Sequence, residues 1–175
     1  MSFNSESFKK KLVRMAIEQV GAPCGKYRAD DNTGNSPEGF DCSGLVQYCL
    51  LQSGYELPFV QKRNGDYGLL RRSWEFFQHF GEFVSFEEVD EGDLIIFSKN
   101  PGLRPSHIVI YSGEGYCVEA RGVFNYTDGN PTTVKSTPLE RILSRKKFQI
   151  ENGERFTSNP IAVKRPTINE LVLLD

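Results

Sequence analysis

Apolar residues recur at helical spacing near the start of the chain. Phe8, Leu12, Met15, Ala16 and Val20 fall near one face of residues 7–20, with lysine and arginine opposite. This predicts an amphipathic helix, stopped at Gly21-Ala22-Pro23. The spacing returns after Gly44, at Leu45, Val46, Cys49 and Leu50, with Gly54 placed to cap the C-terminal end. A third, shorter helix is read over residues 70–80, ended by Gly81. The period then changes. Residues 83–86, 94–97, 107–112 and 115–120 are short runs of strand formers. Turn clusters separate them: Asp90-Glu91-Gly92-Asp93, Lys99-Asn100-Pro101-Gly102 and Gly113-Glu114-Gly115. Further on come a strand at Thr132-Thr133-Val134, a helical turn over residues 139–143 and a closing strand over residues 160–164. Residues 60–70 fit neither period, residues 24–38 form a polar loop, and residues 167–175 read as a tail. Helices followed by a run of antiparallel strands indicate an α+β fold. With no internal repeat, low-complexity tract or linker, a single domain over residues 1–175 is expected, its core at about residues 7–166.

Composition narrows the function. The 175 residues carry a net charge of −2 and 12% aromatic residues, which fits neither a nucleic-acid footprint nor disorder. No apolar run is long enough to span a bilayer. Met1-Ser2-Phe3-Asn4-Ser5-Glu6 lacks the basic-then-apolar pattern of a signal peptide. The expectation is a cytoplasmic protein, one exported without such a signal, or one whose leader has been lost. The four cysteines, Cys24, Cys42, Cys49 and Cys117, include no C-x-x-C pair. They are read as free thiols, with no metal site and no cofactor. The chain is expected to be monomeric.

One cysteine differs from the others in its neighbours. Cys42 lies in Gly39-Phe40-Asp41-Cys42-Ser43-Gly44, between two good N-cap types, so it sits at or just inside a helix N-terminus. The positive end of the helix dipole favours a thiolate there, and the unpaired amides can stabilise an oxyanion. The dipole is worth only about 0.3–1 kcal/mol, up to about 2 when partly buried, against about 1.4 kcal/mol for one pKa unit. A second cation is therefore required, and histidinium is the natural choice. The chain has two histidines. His79 lies in an aromatic-rich stretch, whereas His107 opens a strand, a rigid mount for a base. His107 is the candidate.

Three blocks now form a pattern: Gly39-Phe40-Asp41-Cys42-Ser43-Gly44-Leu45-Val46-Gln47, Glu91-Gly92-Asp93-Leu94-Ile95-Ile96-Phe97, and Ser106-His107-Ile108-Val109-Ile110-Tyr111-Ser112-Gly113. Their order and spacing resemble the NlpC-type bacterial cell-wall cysteine peptidases. The resemblance implies a papain-like α+β fold, with the nucleophile at a helix N-terminus packed on an antiparallel sheet. It implies hydrolysis of an amide bond in a peptidoglycan stem peptide, of the γ-D-glutamyl–diaminopimelate type, through a thioester. Cys42 would be the nucleophile and His107 the base. Glu119, in Val118-Glu119-Ala120, would take the orienting role usually held by His, Asn or Gln, accepting the Nδ1 proton of His107. Asp41 and Ser43 match positions lining the substrate cleft. The family's Gly-x-Pro-Tyr is Gly21-Ala22-Pro23-Cys24 here, which leaves Tyr27 to supply the cleft tyrosine, and its Leu-Pro-Arg is Leu57-Pro58-Phe59. Two further functions fit the fold: an acyltransferase or deamidase acting on a protein or lipid, and a non-catalytic wall-binding module.

Overall fold

The computed structural model describes residues 5–24, 39–99, 104–121, 133–144, 146–147 and 156–168. Its first helix, α1, is Ser5–Glu18, and Leu12, Val13 and Ala16 are buried on one face. Val20, expected on that face, is exposed instead. The helix has ended two residues earlier, and helical spacing no longer sets where a side chain points. The second helix, α2 (Cys42–Gln52), is buried along most of its length. It closes on Gly54, whose φ of 91° suits glycine. There the Tyr55 amide returns to the Leu50 carbonyl and the Gly54 amide to that of Leu51, both at 3.0 Å, a Schellman motif.

Residues 60–70, which fit neither period, lie largely in a small hairpin. β1 (Phe59–Gln61) pairs antiparallel with β2 (Tyr67–Leu69). Strands of three residues are too short to display alternation. The helix expected over residues 70–80 is α3 (Ser73–His79). It starts late because the buried Glu75 carboxylate takes the amides of Arg71 and Arg72, at 2.6 and 3.1 Å, and caps the helix there.

The sheet follows: β3 (Glu82–Val84), β4 (Leu94–Lys99), β5 (Pro105–Gly113), β6 (Tyr116–Glu119), β7 (Lys135–Pro138), β8 (Lys146–Lys147) and β9 (Phe156–Arg165), with α4 (Leu139–Leu143) before β8. The run expected over residues 83–86 is divided between β3 and a 3₁₀ turn, Phe86–Glu88. The strand placed at residues 132–134 begins at Lys135, and Thr133 forms only a single bridge to Pro23. The sheet order is β3-β9-β4-β5-β6-β7, with β8 on β9 and every pair antiparallel. The closing strand thus runs between two earlier ones.

Period-two alternation explains the layers. Leu94, Ile96, Ile108, Ile110 and Val118 join the core beneath α1, α2 and α3. Ile95, Phe97, Val109, Cys117 and Val163 form a second core with Ile142 of α4. Both faces are covered, so these strands read as continuous apolar runs. The arrangement is the expected α+β fold. Among the described residues, no helix is long and apolar enough to cross a membrane.

Asp93, of the second sequence block, is fully buried. Its carboxylate accepts the Asp90 amide at 2.8 Å and two bonds from Arg165, at 3.0 and 2.8 Å. It ties the turn before β4 to the end of β9. Asp93→Ala should therefore destabilise the fold by about 2 kcal/mol, the scale of lost hydrogen bonds to a charged group, because the Arg165 it leaves behind still reaches water. Asp93→Asn, which keeps an acceptor for the turn, should cost less; urea denaturation of both variants measures the difference.

Candidate active site

Cys42 is the first residue of α2, and Asp41 is its N-cap. The Asp41 carboxylate accepts the Gly44 amide at 2.7 Å, and the Asp41 carbonyl accepts that of Leu45 at 3.0 Å. Among the described residues, the first-turn amides of Cys42 and Ser43 take no partner. Donors of this kind sit where an oxyanion would develop.

His107 reaches Cys42 from β5, beside the irregularity where the pairing of β4 with β5 shifts after Phe97. Bulges of this sort re-aim side chains at the end of a sheet. A two-residue turn, Glu114-Gly115, joins β5 to β6 with positive φ at both positions, 51° and 79°, as a tight hairpin of right-twisted strands requires. The hairpin returns Glu119 to His107, and Glu119 Oε2 lies 2.9 Å from His107 Nε2. Glu119 is only 2% exposed, so it does not point to solvent as plain alternation along the strand would allow. The ring nitrogen differs from the expected Nδ1. Because Nε2 faces the carboxylate, Nδ1 is left for the sulfur.

The electrostatics follow from this geometry. Burial pushes the Cys42 thiol up, but the hydrogen bond and charge of His107 outweigh it, and a bond from the Ile108 amide adds to them. The thiol is held below its ordinary value. Burial alone would lower His107; its bonds to Cys42 and Glu119 instead raise it to about 9. The combination favours the thiolate–imidazolium form of the pair, backed by a buried carboxylate. Such a group can attack a carbonyl and return a proton to a leaving amine.

The other candidates are placed differently. Asp41 and Ser43 flank Cys42, and both meet Arg71. Its guanidinium lies 2.9 Å from Asp41 Oδ2 and 2.9 Å from Ser43 Oγ. Arg71 is 2% exposed, and sequence reading missed it, since a buried arginine leaves the same signature as a solvated one. The structure thus brings a guanidinium to the N-terminus of α2 from beyond the hairpin, although Phe59 stands where the resemblance has arginine. Cys24, at the family's tyrosine position, is buried and bridges to Phe40. Tyr27 lies outside the described residues. His79 is exposed at the end of α3.

The sequence profile of the NlpC/P60 family matches residues 31–136 of this chain. The gamma-DL-glutamyl hydrolase of Bacillus subtilis is 38% identical over 110 residues, covering 62% of this chain and 22% of that protein. A probable endopeptidase of Mycobacterium tuberculosis is 33% identical over 109 residues, again 62% of this chain and 22% of that protein. The match therefore spans about a fifth of the length of these relatives. Among solved structures, the peptidoglycan hydrolase RipB of Mycobacterium tuberculosis is 25% identical with a TM-score of 0.56, covering 94% of this chain and 67% of that one.

The ion pair predicts a two-step titration. With iodoacetamide, Cys42 should alkylate with a midpoint below that of an ordinary thiol and show a second inflection near pH 9, as His107 loses its proton. Removing the thiolate partner in Cys42→Ser should lower the His107 midpoint from about 9, which NMR titration of the ring would record.

Proposed function

The chain belongs to the NlpC/P60 family, and from that premise we propose that it is a cysteine peptidase hydrolysing an amide bond in peptidoglycan stem peptides. The reading is supported most by one observation: a helix-capped thiol paired with His107, which a buried carboxylate holds at 2.9 Å. The γ-D-glutamyl–diaminopimelate bond is the favoured target. A relative named as a gamma-DL-glutamyl hydrolase and a structural neighbour named as a peptidoglycan hydrolase both support it. The whole chain is read as one such domain.

In this mechanism the Cys42 thiolate attacks the scissile carbonyl, and the Cys42 amide donates to the oxyanion. His107 Nδ1 gives its proton to the leaving amine, which departs and leaves a thioester on Cys42. Neutral His107 then removes a proton from water, which attacks the thioester and releases the acid. Glu119 meets the far side of the ring, away from the sulfur. It orients the imidazole through Nε2 and stabilises the charged form.

The test is product analysis of peptidoglycan digests by mass spectrometry. Wild-type protein should release peptides cut at a γ-glutamyl bond, and Cys42→Ser should release none. With an added amine acceptor, an aminolysed product in place of the acid would instead identify an acyltransferase. Glu119→Gln should keep the ring orientation yet move the basic limb of the kcat/KM profile to lower pH, since a neutral amide favours imidazolium less. Glu119→Ala should lose more activity than Glu119→Gln. Near-wild-type rates for Glu119→Ala would remove Glu119 from the mechanism.

A further inference from the structure

The cap of α2 poses an electrostatic problem. Asp41 caps the helix by accepting the Gly44 amide, yet its negative charge works against a thiolate on the adjacent residue and pushes the Cys42 thiol up. Asparagine caps a helix about as well as aspartate without the charge. A cap carboxylate here therefore calls for a compensating cation.

Arg71 is in the place such a cation would occupy. One terminal nitrogen donates to Asp41 Oδ2 and the other to Ser43 Oγ, each at 2.9 Å, so the guanidinium spans the two residues that flank the nucleophile. Gly44 makes room for it. A Cβ on Gly44 would lie 2.9 Å from Asp41 Oδ1 and 3.0 Å from Arg71 Nη2. The backbone that carries Arg71 is held from several sides. The Leu70 carbonyl accepts Gln47 Nε2 of α2 at 2.8 Å, and the Leu70 amide donates to the Pro58 carbonyl at 3.0 Å. The Arg71 amide donates to Glu75 at 2.6 Å. Lys62, on the hairpin, donates at 2.7 Å both to Glu75 Oε2 and to the Leu69 carbonyl. The β1–β2 hairpin thus feeds into a fixed mount for one buried guanidinium.

We propose that Arg71 is a positioning residue for Cys42: it holds Asp41 and Ser43 in the capping arrangement and offsets the charge of the cap, so that carboxylate cap and thiolate coexist on consecutive residues. Among the described residues, the charged and titratable groups around Cys42 are His107 of β5 with Glu119 of β6 behind it, Cys24, and Asp41 with Arg71. Of these, only Arg71 and the protonated His107 are cationic, and Arg71 acts through Asp41.

The inference rests on Cys42 being the reactive thiol of the proposed peptidase, but its test requires no turnover. The pH dependence of iodoacetamide alkylation is measured peptide by peptide, so that Cys24, Cys49 and Cys117 are separated from Cys42. Arg71→Met should raise the Cys42 midpoint by on the order of one pH unit, the scale of one uncompensated charge nearby. Arg71→Lys should recover much of that shift. Asp41→Asn alone should lower the midpoint, and Asp41→Asn with Arg71→Met should return it close to wild type, because both charges are then gone. Should Arg71→Met unfold the protein, the buried Cys49 and Cys117 would become reactive as well, and the Arg71→Lys and Asp41→Asn variants would carry the test. An unchanged midpoint in Arg71→Met, or a double variant that keeps the full shift, overturns the role of Arg71. Failure of wild-type Cys42 to alkylate ahead of the other three thiols overturns the peptidase reading instead.

Discussion

The chemistry of this site depends on a contest between burial and pairing. Moving a thiolate out of water raises its pKa, and moving an imidazolium out of water lowers its own, so burial by itself would leave both neutral. The helix dipole is too weak to reverse that. Here the reversal comes from three groups acting together: Cys42 and His107 each supply the other's counter-charge, and Glu119 adds a second bond to the ring. Remove the partner and each group loses its largest offset to the cost of its own burial.

The fold makes that contact by bringing two independent pieces of chain together. One is a helix whose N-terminus must be capped and whose body is buried. The other is a tight hairpin, with positive φ at both turn positions, that returns a carboxylate to the strand bearing the histidine. The two-sided core fixes their relation, because Ile108, Ile110 and Val118 of the hairpin share one apolar cluster with Leu45, Val46 and Cys49 of the helix. Packing density in such a cluster leaves little freedom for sliding. The distance between thiol and imidazole is thus set by aliphatic side chains that take no part in the chemistry.

Much of this was legible in the sequence, and the parts that were not share a physical cause. The α1 and α2 helices and the central strands followed from periodicity, because long buried elements must repeat their pattern. Cys42 stood out because Asp and Ser flank it where a core position would be apolar. The hairpin over residues 59–69 was unreadable because three-residue strands carry no period. The α3 boundary was misplaced because Glu75, a side chain within the helix, captures the amides that would otherwise have begun it. Arg71 was invisible for a different reason. In Leu69-Leu70-Arg71-Arg72, one arginine is buried and its neighbour is exposed, and nothing local distinguishes them. The ring nitrogen that meets Glu119 likewise depends on how the imidazole is rotated, which the strand pattern does not encode.

The four free cysteines differ sharply in what surrounds them. Burial raises the thiols of both Cys24 and Cys49. Cys49 lies seven residues after Cys42, two turns along the same helix, and burial is the whole of its story. Cys24 has an amide bond from Arg121 to lower it, and that is not enough to offset its burial. Cys42 suffers the same penalty, and differs in facing His107, whose hydrogen bond and charge, with a bond from the Ile108 amide, outweigh it. Position relative to the β5–β6 hairpin, rather than accessibility or helix membership, is what lowers the Cys42 thiol while Cys24 and Cys49 are raised.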